Sequence, residues 1–269
     1  MRPTTETQET IAREETVHQD APQQDLTQQA DVPEATAPPR TPWASASSMM
    51  RAYYDREWGL PVTDERGLYE RLCLEGFQAG LSWATVLSRR EAFRRAFEDF
   101  DPEAVASFDE DRIQALMQDA AIIRSRPKIT AAVTNARAVL QLRERVRQAE
   151  EHPGPGTGLD ATGTVPLTGF ALPRWTGEPL KIPAGLPALI WSFCPLTTPR
   201  PESPEQVPTS SADSAALAKT LKRNGFRFIG PTSAYALMEA IGMVDTHWVG
   251  SHRRGVSGIF SPEGTRPSG

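Results

Sequence analysis

One carboxylate interrupts an apolar helical stripe in the first half of the sequence. Glu75 lies three residues after Leu72 and four before Ala79, so the three side chains share one face of a helix. An unpaired carboxylate is costly to bury and its pKa rises, so Glu75 needs a partner. Two interpretations are open: the partner is a backbone group or an arginine of a neighbouring helix, or Glu75 recognises a ligand in a pocket.

Aromatic residues cluster around this stripe. Trp83 extends the face that carries Glu75, and four more aromatic residues precede the helix. Aromatic side chains at helical spacing belong to a hydrophobic core more often than to a ligand pocket. Both roles are open for Trp43, Tyr53, Tyr54 and Trp58.

A second candidate site is the run from Gly225 to Ala234, which joins two helices predicted over 213–224 and 232–241. The N–H groups at the start of the second helix are free to bind a phosphate. Lysine and arginine side chains lie beside the turn, although an ordinary hairpin with a solvated basic face is the alternative. These cations are Lys219, Lys222, Arg223 and Arg227.

Composition and charge exclude several classes of protein. The formal net charge is −5, and residues 1–40, with eight acidic and three basic side chains, carry all of it. The rest of the chain is electroneutral, so the net charge does not exclude a DNA partner. No apolar run approaches the roughly 20 residues of a membrane span, and no signal peptide is recognisable. Two cysteines, Cys73 and Cys194, are too few for a disulfide framework, so we expect a cytoplasmic protein.

Three segments lie outside the helical pattern. Residues 1–40 contain no Phe, Tyr or Trp and predict a disordered acidic tail. Residues 152–185 include 13 glycines and prolines and predict a long loop inserted within the domain. Residues 255–269 predict a flexible C-terminal end. We therefore expect a single domain over 41–254.

The remaining sequence has a helical period almost everywhere. The run Asp101-Pro102-Glu103 combines an N-cap, a first-turn proline and an acid that the helix dipole favours. Pro127 opens a long helix with apolar residues three and four apart, and Gly225 and Gly242 end the two later helices. No alternating strand pattern competes with these helices. The sequence predicts an all-α fold.

Several of these features together resemble the DNA-3-methyladenine glycosylase I family. The most specific match is the segment 74–83, Leu-Glu-Gly-Phe-Gln-Ala-Gly-Leu-Ser-Trp, and the segments 52–61 and 221–230 also agree. Shorter matches are found at 100–102, 119–137 and 208–210. The resemblance covers both helical blocks and leaves out the tail and the 152–185 loop.

The resemblance implies a helix-hairpin-helix DNA glycosylase of base excision repair. Such an enzyme flips 3-methyladenine out of alkylated double-stranded DNA and hydrolyses its N-glycosidic bond. By the resemblance, Glu75 reads the flipped base and assists catalysis, while Tyr53 and Trp83 sandwich the base. Trp43 lines the pocket, and Leu81 fills the gap left in the duplex. The implied DNA contacts of the hairpin are Arg227, Gly230, Thr232 and Ser233.

The sequence departs from the family at the zinc site that usually ties the termini together. The family holds zinc with two Cys and two His, and the corresponding residues here are Thr41, Tyr54, His247 and Ser251. Only His247 retains a ligand of the family. His252 is one residue away from a ligand position, but two histidines do not make a tetrahedral structural site. We expect no zinc and no other cofactor.

A second departure concerns Asp245. Relatives in the wider superfamily carry a catalytic aspartate in a Val-Asp-x-His context after the hairpin, which this family generally lacks, whereas residues 244–247 have that form. Asp245 is either catalytic, stabilising the sugar cation or positioning water, or a structural cap. Thr232 stands where lyase-competent relatives place a Schiff-base lysine, so a monofunctional hydrolase is implied.

Two other functions stay open at this point. The chain could be a non-catalytic lesion-binding protein, since the zinc site is dismantled, or a glycosylase with a shifted alkyl-base substrate. The retention of Glu75, Tyr53 and Trp83 argues against the first, because a plain duplex binder needs no base pocket. We expect a monomer with no membrane association.

Overall fold

Side-chain caps begin several of the helices. The computed structural model describes residues 39–268, and in it the Asp101 carboxylate accepts a hydrogen bond from Ala104 N at 3.0 Å, as predicted for an N-cap. Asp64 accepts from Gly67 N at 2.7 Å in the same way. Ten α-helices are present in this part of the chain: α1 (Ser48–Arg56), α2 (Glu65–Gln78), α3 (Trp83–Leu87), α4 (Arg90–Ala96), α5 (Pro102–Ala106), α6 (Glu110–Gln118), α7 (Arg126–Glu151), α8 (Leu186–Trp191), α9 (Ala212–Arg223) and α10 (Pro231–Ala240).

The predicted apolar stripes form the larger of two hydrophobic cores. Helix α2 packs against α7, α8 and α10, and Leu68 and Leu72 of its stripe are fully buried. Ile129 of α7 is also fully buried, and the Tyr69 hydroxyl of α2 donates to Ala132 O of α7 at 2.8 Å. The predicted helical fold is thus confirmed. None of the helices in residues 39–268 is long and apolar enough to cross a membrane.

The smaller core is built around α1 and contains most of the aromatic residues that precede α2. Trp83 of α3 packs against both cores and therefore stands at their boundary. A pocket next to Trp83 can therefore be lined by residues of both cores. The buried members of the smaller core are Ala44, Met50, Tyr53, Tyr54, Trp58, Leu87 and Ala240.

The inserted segment 152–185 is more than a loop. It contains two strands of three residues, β1 (Phe170–Leu172) and β2 (Leu180–Ile182), which pair antiparallel. The expectation that the sequence contains no strand was wrong here. Strands this short alternate too few times for a period of two to be recognised.

A buried aspartate fastens this inserted segment to the end of α9. The Asp160 carboxylate accepts from Asn224 Nδ2 at 2.9 Å, and Asn224 Oδ1 accepts from Ala161 N at 2.8 Å. Burial acts to raise the pKa of Asp160, but the hydrogen bonds from Asn224 and from the N–H groups of Val165 and Thr164 lower it to about 2. Charge-assisted hydrogen bonds of this kind hold the insertion against the helical hairpin.

The C-terminal residues pack against the domain, which differs from the flexible end predicted for 255–269. Ile259 and Phe260 are buried, and Trp175 N of the insertion donates to Ile259 O at 3.2 Å. Two adjacent apolar residues produce no periodic pattern, so the sequence contains no sign of this packing.

At the N-terminal end, the prediction of a disordered tail over 1–40 concerns residues that, except for the last two, lie outside the described range. Arg40 belongs to the domain, because its guanidinium donates two hydrogen bonds of 2.8 Å to the Asp55 carboxylate of α1. The domain therefore begins slightly earlier than residue 41.

Candidate active site

A cavity of about 640 Å³ is lined by the smaller core and by α10. This volume is in the range of pockets that enclose a small organic ligand. Most of the wall is apolar or aromatic, and two carboxyl groups, those of Glu75 and Glu239, lie among these side chains. The aromatic lining residues are Trp43, Tyr53, Trp58, Trp83, Tyr235 and Trp248.

Glu75 lies in this cavity, as the ligand-recognition interpretation requires. The residue is only 5% exposed, and its Oε2 atom has no hydrogen-bond partner among the described residues. Burial, followed by the negative charge of Glu239, raises the pKa of Glu75 to about 8, against an opposing effect of Arg71. The described residues thus supply no structural partner for this carboxyl oxygen. It remains available to a ligand.

Tyr53 and Trp83 lie side by side in the cavity wall. Their ring centroids are 5.5 Å apart and their planes are inclined by 46°. A base stacked between the two rings needs roughly 7 Å, which is twice the contact distance of about 3.5 Å between carbon atoms. The rings therefore have to separate before they can sandwich a base. Trp83 is only half-buried and is therefore the freer of the two to move. Trp43 lies on the same wall, with its ring centroid 6.3 Å from that of Tyr53.

Sequence reasoning missed the second carboxyl group of the cavity. Glu239 is in the last turn of α10, and its Oε1 atom accepts a hydrogen bond from the Thr246 hydroxyl at 2.5 Å. Burial raises the pKa of Glu239 to about 7, although the hydrogen bond from Thr246 acts in the opposite direction. The signal was available, because Glu239 interrupts the apolar run 237–241 as Glu75 interrupts its own stripe.

The hairpin between α9 and α10 is held by a buried amide on α7. Gly225, the predicted stop of α9, has a φ of +94°, in the left-handed region that favours glycine. Asn135 Oδ1 accepts from Arg227 N at 2.7 Å, and Asn135 Nδ2 donates to Arg227 O at 3.2 Å. This pair of hydrogen bonds fixes the backbone of the turn relative to the body of the domain.

The start of α10 matches the phosphate site that the sequence predicts. Gly230 is its N-cap residue and supplies no side-chain cap, and Thr232 is exposed while Ser233 is half-buried. The N–H groups of this first turn therefore remain available to an anion. Arg227 is exposed in the same turn. The structure thus brings the four predicted hairpin contacts together at one end of α10.

Leu81, the predicted wedge, lies in the turn between α2 and α3 and is 41% exposed. Gly80 before it has a φ of +80°, which lets the chain reverse direction after α2. The Lys128 ammonium of α7 donates to Phe77 O at 3.0 Å and to Ala79 O at 2.5 Å. A cation bound to the last carbonyl groups of a helix stabilises its end, so Lys128 supports the turn that presents Leu81.

The residues at the zinc-ligand positions of the resembled family do not suit the metal. The hydroxyl groups of Tyr54 and Ser251 are hydrogen-bonded to each other at 2.8 Å, and the Tyr54 ring packs edge-on against His247 with centroids 5.2 Å apart. Structural zinc sites use thiolate and imidazole ligands, and His247 alone supplies one. Within residues 39–268, no three His, Cys, Asp or Glu residues are grouped so as to hold a metal ion.

The structure does not bring Asp245 into the cavity. Its carboxylate is buried and accepts from His247 N at 3.0 Å, from His247 Nδ1 at 2.8 Å and from Gly255 N at 2.7 Å. Burial acts to raise the pKa of Asp245, but the interactions with His247 and the charge of Arg254 outweigh it and lower the pKa. These contacts join residues 245–255 and match the structural alternative for Asp245.

Solved structures with this fold place the protein in a class. A crystal structure of 3-methyladenine DNA glycosylase I aligns with a TM-score of 0.64 and 36% identity over 80% of this chain and 100% of that one. A structure of the enzyme from Staphylococcus aureus, which describes 3-methyladenine recognition, aligns with a TM-score of 0.61 and 26% identity over 78% and 94% of the two chains. The domain has the helix-hairpin-helix DNA glycosylase fold.

Sequence comparison then identifies the family. The methyladenine glycosylase family matches residues 43–152 and 180–254. The chain is 39% identical over 214 residues to DNA-3-methyladenine glycosylase 1 of Escherichia coli (strain K12), which covers 78% of this chain and 94% of that protein. It is 37% identical over 211 residues to the DNA-3-methyladenine glycosylase of Haemophilus influenzae, covering 77% and 94%. This chain belongs to the methyladenine glycosylase family, and the gap in the match falls within the 152–185 insertion.

Proposed function

We propose that this protein is a monofunctional DNA glycosylase that hydrolyses the N-glycosidic bond of 3-methyladenine in alkylated double-stranded DNA. The observation that carries the proposal is the buried, unpartnered carboxyl group of Glu75 in an aromatic cavity, in a chain of the methyladenine glycosylase family. Relatives from E. coli and H. influenzae are named for this activity.

The reaction needs only modest catalytic assistance from the enzyme. Methylation at N3 gives the purine a positive charge, so the C1′–N9 bond breaks readily with its electron pair going to N9. Water bonds to C1′ and loses a proton, which leaves an abasic sugar and a neutral base. A carboxylate near the base and the faces of Tyr53 and Trp83 stabilise positive charge along this path.

Capture of the base combines stacking with hydrogen bonding. The flipped base enters between Tyr53 and Trp83 as their rings separate, and Trp43 closes the wall behind Tyr53. Glu75 accepts a hydrogen bond from the base, which gives its unpartnered oxygen a donor. A neutral, undamaged purine gains less from this carboxylate, so damage is recognised by charge as well as by shape.

Contacts with the duplex come from two turns beside the cavity. Backbone N–H groups at Gly230, Thr232 and Ser233 bind a phosphate at the start of α10, and the Arg227 side chain adds a positive charge. Leu81 enters the duplex and fills the space that the flipped base leaves. None of these contacts reads a base sequence, as suits an enzyme that searches for damage.

We also infer a cytoplasmic monomer that needs no metal and does not cleave the DNA strand. One copy of the chain carries the pocket, the wedge and the hairpin, so no second copy is needed to complete the site. Strand cleavage by a glycosylase uses an amine that forms a Schiff base with the sugar, and Thr232 has no amine. The hydroxyl pair of Tyr54 and Ser251 supports the absence of zinc.

Release of bases from methylated DNA, identified by chromatography, tests the function. We expect free 3-methyladenine and abasic DNA whose strands stay intact until alkali is added. Glu75→Ala should fold yet be less inhibited by free 3-methyladenine. Release of no base would favour a lesion-binding protein, and release of a different base would favour a glycosylase with a shifted substrate.

A further inference from the structure

Two carboxyl groups share the base cavity, and no cation of the described chain pairs with either. Glu75 of α2 and Glu239 of α10 both line the cavity, and the charge of Glu239 acts on Glu75. Arg71 acts on Glu75 from a distance, but its guanidinium donates to Glu57 at 3.0 Å. A ligand with hydrogen-bond donors and positive charge is therefore the natural partner of this pair.

The helices show how deep the two groups lie. Thr232, Ala236 and Glu239 are spaced four and three residues apart on α10, so they form one stripe of the helix. Along it, Thr232 is exposed, whereas Glu239 reaches the buried hydroxyl of Thr246. Glu75, which is buried, lies on the opposing helix α2. The two carboxyl groups thus lie at the floor of the cavity, below the rim where Thr232 faces the DNA.

We propose that Glu239 is a specificity residue that accepts a hydrogen bond from the exocyclic amine of the flipped base, beside Glu75. This inference rests on the proposed function. A flipped purine keeps N9, which is bonded to the sugar, at the rim, so the opposite edge reaches the floor. Adenine presents an amine with two N–H donors at that edge, whereas guanine presents a carbonyl oxygen.

The positive charge of the methylated base favours the ionised form of both carboxyl groups, and an ionised carboxylate only accepts hydrogen bonds. Two such acceptors suit two N–H donors and oppose a carbonyl oxygen. The Thr246 hydroxyl holds Oε1 of Glu239 at 2.5 Å, which orients the side chain and leaves Oε2 for the base. A carbonyl oxygen placed against this acceptor in a mostly apolar cavity finds no donor there to replace its lost water, which costs free energy. A site built around donors on its ligand rejects the analogue that lacks them. Glu239 thus selects 3-methyladenine over 3-methylguanine, although both bases carry the same charge and methyl group.

Competition between these two bases tests the inference. Duplex DNA treated with a methylating agent is incubated with the full-length wild type, with Glu239→Gln and with the matched control Glu150→Gln on the exposed face of α7. The glutamine amide keeps the size of the side chain and can donate to a carbonyl oxygen. We expect Glu239→Gln to lower the ratio of released 3-methyladenine to 3-methylguanine by roughly 10- to 100-fold. Glu150→Gln should keep the wild-type ratio.

Each outcome bears on a different statement. A wild-type ratio for folded Glu239→Gln would overturn the role of Glu239 while leaving the glycosylase activity in place. A wild type that releases neither base would refute the proposed function and this inference with it. If Glu239→Gln does not fold, Thr246→Val removes the hydrogen bond that orients Glu239. The ratio should then fall in the same direction, and an unchanged ratio would equally overturn the inference.

Discussion

The hydroxyl groups of Tyr54 and Ser251 lie 2.8 Å apart and join α1 to the segment that follows α10. The resembled family has zinc ligands at both positions. A neutral hydrogen bond contributes about 1 kcal/mol net, against about 10 kcal/mol or more for a structural zinc. The link between these two segments therefore depends on packing. The Trp58 and His247 rings, whose centroids are 4.5 Å apart, provide part of this packing.

The first prediction is that this hydrogen bond, and no metal, links the two segments. Tyr54→Phe leaves the buried Ser251 hydroxyl with only the 3.2 Å hydrogen bond from Arg253 N and should lower the free energy of unfolding by about 1–2 kcal/mol. The double variant Tyr54→Phe/Ser251→Ala should cost less than the sum of the single variants, because no orphaned hydroxyl is left. Denaturant unfolding measures both.

Metal analysis and a chelator complete this test. A chelator should leave the melting temperature of the wild type unchanged, since no ligand set for zinc is present at these four positions. Stoichiometric zinc in the purified protein, or a lower melting temperature with the chelator, would contradict the prediction.

A second prediction concerns the pH dependence of stability. Burial raises the pKa of Glu75 from 4.5 to about 8, so between these values the folded chain holds a proton that the unfolded chain loses. The free energy of unfolding should therefore decrease as the pH rises through this window, by up to about 4 kcal/mol for this group. Glu75→Gln removes the titration, so it should be more stable than the wild type at pH 8 and little different at pH 5.

Unfolding curves at several pH values measure this effect. Glu150→Gln, the same change of residue type at an exposed position of α7 outside the cavity, is the control. If Glu75→Gln loses stability at pH 8, Glu75 has a structural partner and the ligand-recognition interpretation fails.

The comparison of Glu75 with Glu239 shows what the sequence can and cannot predict. Glu75 is conspicuous in the sequence because its helical stripe contains strongly apolar residues on both sides. Glu239 interrupts an apolar run in the same way, but that run is short and by itself predicts only a buried helix end. An acid that interrupts an apolar run on a helix is therefore a detectable signal of a pocket in both cases.

Tertiary packing decides the features that the sequence did not predict. The contact between Tyr53 and Trp83 depends on how two cores meet, which no local pattern records. Asp245 has the sequence context of a catalytic residue, yet its direction is set by backbone N–H groups at His247 and Gly255. The turn at Gly225 and the start of α10 were predictable because a glycine stop and a helix N-terminus are local features, whereas the DNA contacts of this hairpin stay a prediction.

The third prediction is that Asp245 acts on stability and not on catalysis. Asp245→Asn replaces a carboxylate oxygen, which accepts hydrogen bonds from His247 and Gly255, with an NH2 group that would face these donors. The free energy of unfolding should therefore fall by about 2–3 kcal/mol. Since the pKa of Asp245 is lowered, its contribution should be present at neutral pH and lost as the pH falls through its folded value. The single-turnover rate of base excision, measured well below the melting temperature, should stay within about twofold of the wild type.

A large loss of rate with the fold intact would restore the catalytic alternative for Asp245. Circular dichroism on the same samples separates the two cases, because a structural role predicts that rate and helical signal fall together on heating.

The fourth prediction concerns the amide that fixes the hairpin. Asn135→Asp keeps an acceptor for Arg227 N but replaces the donor to Arg227 O with an oxygen, so the two oxygens repel. We expect the dissociation constant for duplex DNA to rise about tenfold, with inhibition by free 3-methyladenine unchanged. Thr134→Val is the control, because this neighbouring residue is half-buried and its hydroxyl donates only within α7, to Thr130 O at 2.9 Å. Equal DNA affinity of Asn135→Asp and the wild type would show that the turn needs no such support.

The last prediction links Lys128 to the wedge. Lys128→Met removes two hydrogen bonds from the end of α2, so the Gly80–Leu81 turn should become mobile while the cavity, which Leu81 does not line, keeps its shape. The single-turnover rate on duplex DNA should fall about tenfold, in the same direction as for Leu81→Ala, with inhibition by free 3-methyladenine unchanged. Lys128→Arg retains a cation and should restore part of the rate. Weaker inhibition by the free base would mean that Lys128 shapes the pocket itself, and an unchanged rate would show that Leu81 needs no support from α7.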